Sequence, residues 1–508
     1  MQRKGRIMEL KEFLSYDTIT IQCHDNPDAD AIASGYGLYL YFKAHKKDVT
    51  LLYAGNFRIQ KHNLKLMVEK LEIPIIYEEN KNRPIPGLLI TVDCQYGARN
   101  VTKLEADDVV IIDHHQQEIT DVKKTYINSS LGSCSTFVWK LLIEAGFPIQ
   151  EHRNLQTALY YGLYTDTGQF AELSNPLDRD LRDGVNYDKV LIHRLQNSNM
   201  SADELEIAGI AMIRSVVNKE QHFAVVKAQP CDPNILGLIS DLVLQVSEVD
   251  VCVVFNVLDY GIKFSVRSCV KETKACHLAQ VISEGMGSGG GHINKAGGFI
   301  SKEKYAENFG EIDEVTYFSN ALNDYMKEYQ IIEAKEVELD VTDFALYQKK
   351  KIMVGYVKTV DLFPLNTPLL IRTLESDVHT TVSEDTYIML GIRGELYPIN
   401  KEKFEKSYQI VEGTYHCQVD YEPVVKNKET GDSRSLLEYA RPCLSIGEVK
   451  VLAKQLEHGV KVFTSWDEDN YMLGEKGAYL AVREDDAHDI YVIEENIFGE
   501  TYERVEER

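Results

Sequence analysis

The sequence predicts an α/β protein: an N-terminal domain built on a mostly parallel sheet, a smaller α/β second domain, and a C-terminal, mostly β tandem repeat. Three observations predict it. In the first 190 residues strand-like apolar runs alternate with helix-like segments, the pattern of a parallel sheet covered on both faces. Between 219 and 332 the alternation returns on a smaller scale. Beyond 333 a spaced set of Tyr and Phe occurs twice.

In the first domain the runs Thr18–Cys23, Asp48–Tyr53, Leu88–Asp93 and Val109–Asp113 read as strands. Ile32–Lys47 and Gln60–Leu71 read as helices. Three of those strands end in groups that resist burial. The first is followed by His24-Asp25-Asn26-Pro27-Asp28-Ala29-Asp30, the second ends in Asp93, and the third ends in Asp113-His114-His115. One such residue is an ordinary helix cap; three strands delivering Asp and His to the same sheet edge point to cation ligation. A predicted helix over Leu155–Thr167 carries Asp166 at its end. Gly132-Ser133-Cys134-Ser135-Thr136 precedes a helical stretch, Phe137–Ala145, and reads first as an N-cap, with a helix N-terminus offered to an anion as the second reading.

These residues resemble the DHH phosphoesterases, a family named for the motif that stands here as Asp113-His114-His115. The opening cluster, Asp93 and Asp166 match the family's other motifs in order and spacing. The resemblance implies two divalent metal ions, Mn2+ preferred with Mg2+ as the alternative. His24 and Asp28 would hold one; Asp30, His114 and Asp166 would hold the other, with Asp93 bridging. Asp93, His114 and His115 would be the catalytic residues, His115 facing the substrate phosphate. Asp113 would orient the histidines from behind, while Asp25 reads as a bystander. Arg99, six residues past Asp93, reads equally as a phosphate contact or a surface arginine.

Residues 191–218 read as a helical connector. In the second domain, 219–332, Phe223–Ala228, Val251–Val257 and Ile262–Val270 read as strands, with a helix near Ile235–Val246. Arg267 should project from one strand face. Gly287-Ser288-Gly289-Gly290-Gly291-His292 reads as a glycine loop whose amides approach an anion closely. With Ala296-Gly297-Gly298-Phe299 it resembles the Gly-Gly-Gly-His signature of the DHH-associated domain. That resemblance implies a substrate cleft in which Arg267, Gly289, Gly290, Gly291 and His292 hold nucleotide. It places the chain near the nanoRNase and 3′-phosphoadenosine 5′-phosphate phosphatase branch. Manganese pyrophosphatases share the opening motif but use a different basic motif in their second domain.

In 333–508, Leu396-Tyr397-Pro398-Ile399, Phe404 and Tyr408 match Ile490-Tyr491-Val492-Ile493, Phe498 and Tyr502 at the same spacing. Two mostly β modules, about 357–412 and 441–506, would account for this accessory region. Its aromatics read as core residues rather than base-stacking platforms, and Glu484-Asp485-Asp486 as a hairpin tip.

A net charge of −24 disfavours counterion-driven binding to long nucleic acid. No apolar run approaches membrane-spanning length, and the segment after the basic Met1–Arg6 is too polar for a signal peptide. Nine scattered cysteines without a Cys-x-x-Cys pair suit free thiols in the cytoplasm. The expectation is a cytoplasmic, manganese-dependent phosphoesterase acting on short oligoribonucleotides, 3′-phosphoadenosine 5′-phosphate or dinucleotides. Its partners would be that substrate and no membrane, with a homodimer left open. The alternatives are a single-strand-specific exonuclease and a nucleotide-binding regulatory protein acting through its C-terminal repeats.

Overall fold

A computed structural model describes residues 8–505 apart from 174, 199, 232, 311, 327–328, 374–376, 393, 418, 420, 447–449 and 466; the basic segment Met1–Arg6 lies outside them. The protein is a mixed α/β chain in two units. The first comprises Met1–Ser201, Met353–Glu405 and Ile410–Cys443; the second comprises Ala202–Ile352, Lys406–Gln409 and Leu444–Arg508.

In the first unit β1 (Thr18–Gln22), α1 (Ala29–Ala44), β2 (Asp48–Tyr53), α2 (His62–Lys70), β3 (Ile75–Tyr77), β4 (Ile85–Val92), β5 (Ala106–Asp113) and β6 (Lys124–Ile127) follow in order. They form a six-stranded parallel sheet of order β3-β2-β1-β4-β5-β6. The chain leaves β1 to one side and returns through β4 on the other. The loops after β1 and β4 therefore diverge and open a crevice at the strands' carboxyl ends. The central strands are buried runs of Ile, Leu and Val, as a sheet covered on both faces requires.

Helix α1 packs against α3 (Cys134–Glu144) and α4 (Arg153–Asp166) and is buried nearly all round. Its approach to α4 depends on Gly162: a Cβ there would lie 2.3 Å from Ser135 Oγ and 3.1 Å from the Asp30 backbone. α5 (Pro176–Gly184) and α6 (Lys189–Gln196) follow. α5 starts where Asn175 accepts the Leu177 amide, with Pro176 in the first turn.

The expected connector is two helices, α6 and, in the second unit, α7 (Ala202–Ile213). α6 stops at Asn197, whose side chain bonds back to the His193 carbonyl, in a polar stretch that offers no apolar face to continue the helix. Then come β7 (Val216–Asn218), β8 (Phe223–Lys227), α8 (Pro233–Val243), β9 (Val251–Leu258), β10 (Gly261–Ser268), α9 (Ala275–Ser283), β11 (Gly287–Gly291), β12 (Lys295–Ser301), α10 (Lys302–Phe309) and α11 (Glu314–Tyr325). The sheet order is β11-β12-β10-β9-β8-β7. The glycine run is thus an edge strand, not a loop. It pairs antiparallel with β12, and a Cβ at Gly287 would meet the Phe299 carbonyl at 1.8 Å and one at Gly289 the Ala279 carbonyl at 2.1 Å. Its glycines let β12 and α9 approach the strand backbone.

The repeats are nested. The second unit holds β13 (Gln330–Glu333) and β14 (Ala345–Lys349). Next come β15 (Met353–Lys358), α12 (Thr359–Leu362), β16 (Pro368–Arg372), β17 (Asp377–Thr381), β18 (Thr386–Leu390), β19 (Leu396–Asn400), α13 (Lys401–Ser407), β20 (Tyr408–Ile410), β21 (Val424–Asn427), β22 (Ser433–Ser435) and β23 (Arg441–Ser445). The second copy runs through β24 (Lys450–Gln455), β25 (Val460–Thr464), β26 (Asp467–Gly474), β27 (Tyr479–Arg483), β28 (Asp486–Ile493), α14 (Glu495–Thr501) and β29 (Tyr502–Arg504). One sheet contains β19-β18-β15-β23; its counterpart runs β28-β27-β24-β14-β29. The strand beside β15 comes from later in the chain, and the one beside β24 from earlier, so the first copy is inserted within the second.

Of the recurring aromatics, Phe404, Phe498 and Tyr502 are core, Tyr408 and Tyr491 are half-buried, and Tyr397 is exposed. Phe404 packs on Tyr356 and Tyr387 at 4.7 and 5.0 Å, and Phe498 stacks on Tyr479 and Tyr502 at 3.9 and 5.0 Å between ring centres. Residues 484–485 form the β27–β28 turn. No helix among the described residues is long and apolar enough to cross a membrane.

Candidate metal centre

Each loop at the carboxyl edge of the first sheet is locked by its own hydrogen bonds. Asp28 caps α1: its Oδ1 accepts the amides of Asp30 and Ala31 at 3.0 Å each, and its Oδ2 lies 3.9 Å from His24 Nε2. Asp30, in the first turn of α1, is fully buried. Its two oxygens accept the amides of Cys134 and Ser135 at 2.7 and 2.8 Å. The first reading of the 132–136 segment, the N-cap, holds, and the helix N-terminus is already occupied by a side chain of the protein. Ser133 caps α3 by accepting the Thr136 amide at 3.1 Å, and the helix N-terminus receives an anion, the carboxylate of Asp30.

Asp93 leaves β4 with φ of 58°, a left-handed conformation that costs a non-glycine residue on the order of 1 kcal/mol. The turn aims its carboxylate into the crevice. Oδ2 lies 3.9 Å from His24 Nε2, while Oδ1 lies 3.4 Å from His114 Nε2 and 3.8 Å from His115 Nδ1. His114 Nε2 is also 3.1 Å from Asp166 Oδ2 and 3.9 Å from Asp30 Oδ2. Its Nδ1 is 3.1 Å from the Leu131 carbonyl, which fixes the ring. Asp113 Oδ1 accepts the His114 amide and faces His115 Nδ1, both at 2.8 Å.

His24, Asp28, Asp30, Asp93, Asp113, His114, His115 and Asp166 are thus brought together. Arg99 is exposed in the loop after Asp93, with no hydrogen bond or ion pair among the described residues. In the second unit Arg267 is committed: Nε donates to Asp241 Oδ1 at 2.6 Å and Nη1 to Ser265 Oγ at 3.0 Å. His292 is half-buried in the turn from β11 to β12, and its amide donates to the Lys295 carbonyl at 2.7 Å.

Two residues outside the expected set brace these loops. Asp25 is not a bystander: its carboxylate accepts the Thr102 amide and hydroxyl at 2.7 and 2.8 Å, tying the loop after β1 to the loop after β4. Gln95 donates to Asp113 Oδ2 at 3.0 Å and accepts the Glu118 and Ile119 amides at 2.8 and 2.9 Å. A glutamine two places after Asp93 carries no sequence signal for that role.

Crowding moves the protons. Burial, then Asp93 and Asp166, push Asp30 well above the usual carboxylate range. Burial pushes Asp93 up to about 6, against the pull of His114. Burial opposes ionisation of the histidines, but neighbouring carboxylates win. Asp166 and Asp93 raise His114 well above its ordinary value, Asp113 raises His115 to about 9, and Asp28 raises His24. Burial would raise Asp113, yet His115 and Gln95 hold it down at about 2.

The residues fit a pair of cations. His24, Asp28 and Asp93 offer ligand atoms within 4.8 Å of one another, and so do Asp30, Asp93 and His114. Asp93 Oδ1 is buried without a hydrogen bond of good geometry, an acceptor the protein leaves for something else. Hard oxygen donors with a minority of imidazoles suit divalent ions of the manganese and magnesium kind, and their binding must displace the protons just described.

The sheet order and this edge define an α/β protein whose N-terminal parallel sheet gathers Asp and His side chains at its carboxyl edge. Residues 18–163 match the model of the DHH family, N-terminal domain. An uncharacterized protein of Methanocaldococcus jannaschii is 25% identical over 300 residues, 58% of this chain and 61% of that protein. One of Mycoplasma genitalium is 23% identical over 163 residues, 32% of this chain and 48% of that one. The chain thus spans less than two thirds of either relative. Among solved structures, an exopolyphosphatase-related protein from Bacteroides fragilis is 22% identical with a TM-score of 0.49, covering 62% of this chain and 94% of that one. Exonuclease RecJ bound to manganese is 18% identical with a TM-score of 0.33, covering 62% and 92%. Nothing about this chain's chemistry rests on likenesses that low.

Proposed function

We propose that the protein is a manganese-dependent phosphoesterase that hydrolyses phosphate esters of small nucleotides: short oligoribonucleotides, 3′-phosphoadenosine 5′-phosphate or dinucleotides. The observation that carries this reading is Asp93, whose two oxygens face His24 on one side and His114 on the other. His24 and Asp28 would hold one ion, Asp30, His114 and Asp166 the second, with Asp93 shared. When bound, the ions supply Lewis acidity toward a phosphoryl group and a nucleophilic water.

The protein's own residues do the rest. Asp30, held by two helix amides, and His114, held by the Leu131 carbonyl, keep fixed positions. His115 is 37% exposed where His114 is 3%, which supports His115 as the imidazole that would face a substrate phosphate. Charged through Asp113, it would stabilise an anionic transition state. In the second unit the assignment of Gly289, Gly290, Gly291 and His292 to nucleotide holding rests on the motif resemblance. Arg267 is the weaker member, since Asp241 already occupies its guanidinium. The net charge of −24 supports small substrates over long strands. All nine cysteines are free, which supports a cytoplasmic setting.

A manganese-supported hydrolysis panel of dinucleotides, 3′-phosphoadenosine 5′-phosphate, cyclic dinucleotides, pyrophosphate and longer RNA and DNA tests the reading. The small nucleotides should turn over fastest, and long single strands faster than dinucleotides would favour the exonuclease alternative. Asp93→Ala should lose far more than tenfold in kcat/KM; a loss within tenfold, under about 1.4 kcal/mol of transition-state stabilisation, would sink the mechanism.

A further inference from the structure

Helix α5 contributes none of the motif residues, yet it touches the turn beside the metal centre with one side and the inserted β module with the other. On the inner side Asp178 is fully buried and its Oδ2 accepts the Gly132 amide at 2.9 Å. Gly132 opens the turn whose next amides, Cys134 and Ser135, hold the Asp30 carboxylate. The turn is also tight against the end of α4: a Cβ at Gly132 would lie 2.6 Å from Thr167, the residue after Asp166.

On the outer side Arg372, at the end of β16 and with a side chain only 8% exposed, reaches three carboxylates. Its Nη1 donates to Asp180 at 2.6 Å. Its Nη2 donates to Asp183 at 2.6 Å and to Asp377 at 3.1 Å. Tyr421 donates to the other oxygen of Asp180 at 2.9 Å. Arg179, also on α5, donates to Asp377 at 3.2 Å and to the Thr373 carbonyl. A guanidinium buried among three carboxylates is not a surface ion pair. Without it, Asp180, Asp183 and Asp377 keep only Arg179 and Arg182 as counter-charges among the described residues, Asp180 keeps none of its own, and the repulsion bears on α5.

We propose that the inserted β module is a positioning device: through Arg372 and α5 it fixes the turn 131–135, and with it the Asp30 carboxylate and the cation affinity of the site. The cation half of this rests on the phosphoesterase reading; the mechanical half does not. Asp178 and Arg372 are positioning residues, since neither points at a ligand.

The test uses the full-length, metal-free protein, followed by hydrogen exchange along the chain and by calorimetric titration with Mn2+. In Arg372→Met the amides of Cys134 and Ser135 should exchange at least fivefold faster while peptides from β5 hold their wild-type rates. Mn2+ should bind at least fivefold more weakly. Adding Asp178→Asn to Arg372→Met should weaken Mn2+ binding little further, because both act through one turn. Tyr421→Phe, a gentler change, should speed the same amides about twofold, and it decides the matter should Arg372→Met fail to fold. Unchanged exchange at residues 131–136, or acceleration by one common factor throughout the first unit, would overturn the proposal. Faster local exchange in a protein whose wild type binds no Mn2+ would leave the positioning device standing and refute the metal reading.

Discussion

The two copies of the β module share a sheet, a helix and an aromatic core, yet they are fastened by different physics. The first is joined within its unit to α5 by Arg372, Arg179 and three carboxylates. The second continues its own unit through main-chain pairing, β13 running parallel to β25 from Gln330↔Val460 to Glu333↔Phe463, with Lys461 paired to Glu272 beside it. A buried charge knot depends on every member at once, because each loss strands the others. A backbone ladder shares its load over several bonds, each of modest net value.

That contrast can be broken at several strengths. Phe404→Ala and Phe498→Ala remove equivalent core rings and should each cost about 3–5 kcal/mol; chemical denaturation that shows one of them silent would deny that the copies are equivalent. Arg372→Met should cost about 2 kcal/mol, less than a fully buried pair because its carboxylates are partly solvated and two of them keep Arg179 and Arg182. Lys461→Met should cost about 1 kcal/mol or less, since its ammonium is partly solvated and β13–β25 remains. Equal losses would erase the distinction between the two anchors.

The smallest effect is in acid. Burial would raise Asp183 and Glu272, but Arg182 and Arg372 hold the first below its usual range, and Lys461 and Tyr471 the second. A depressed carboxylate contributes stability that is present above its unfolded pKa, near 4, and is lost as pH falls through the folded value. These two carboxylates should therefore weaken their anchors below about pH 4, although Asp180, which burial raises, pulls the other way in the first anchor. In an acid titration followed by hydrogen exchange, Arg372→Met should move the onset upward in the first unit and leave the second where it was.

The contrast also marks what the sequence could reveal. The carboxyl-edge motifs were legible because each is local: a buried strand ends, and the charged residue follows at once, as with Asp93 and Asp113. The parallel sheet was legible from the same alternation, although β3 and β6 are too short and too exposed to announce themselves. What failed was whatever depends on distant chain. Asp25 looked idle because its partner, Thr102, lies 77 positions away. The glycine run read as a loop because the carbonyls crowding it belong to Phe299 and Ala279. The period of the repeat was visible, but a period cannot say from which side each sheet receives its remaining strand.

The nesting of the copies constrains the order in which the chain acquires structure. Gln348 pairs with Lys450, so the outer sheet must close a loop of about 100 residues. Closing so long a flexible loop costs roughly 3 kcal/mol more than closing one of about five residues. If the intervening strands have already paired, β15 beside β23, the two ends of that loop arrive as neighbours and most of the difference vanishes. On a ribosome the sequence is stricter: β14 emerges early and must wait, an unpaired edge, until β24 has been made.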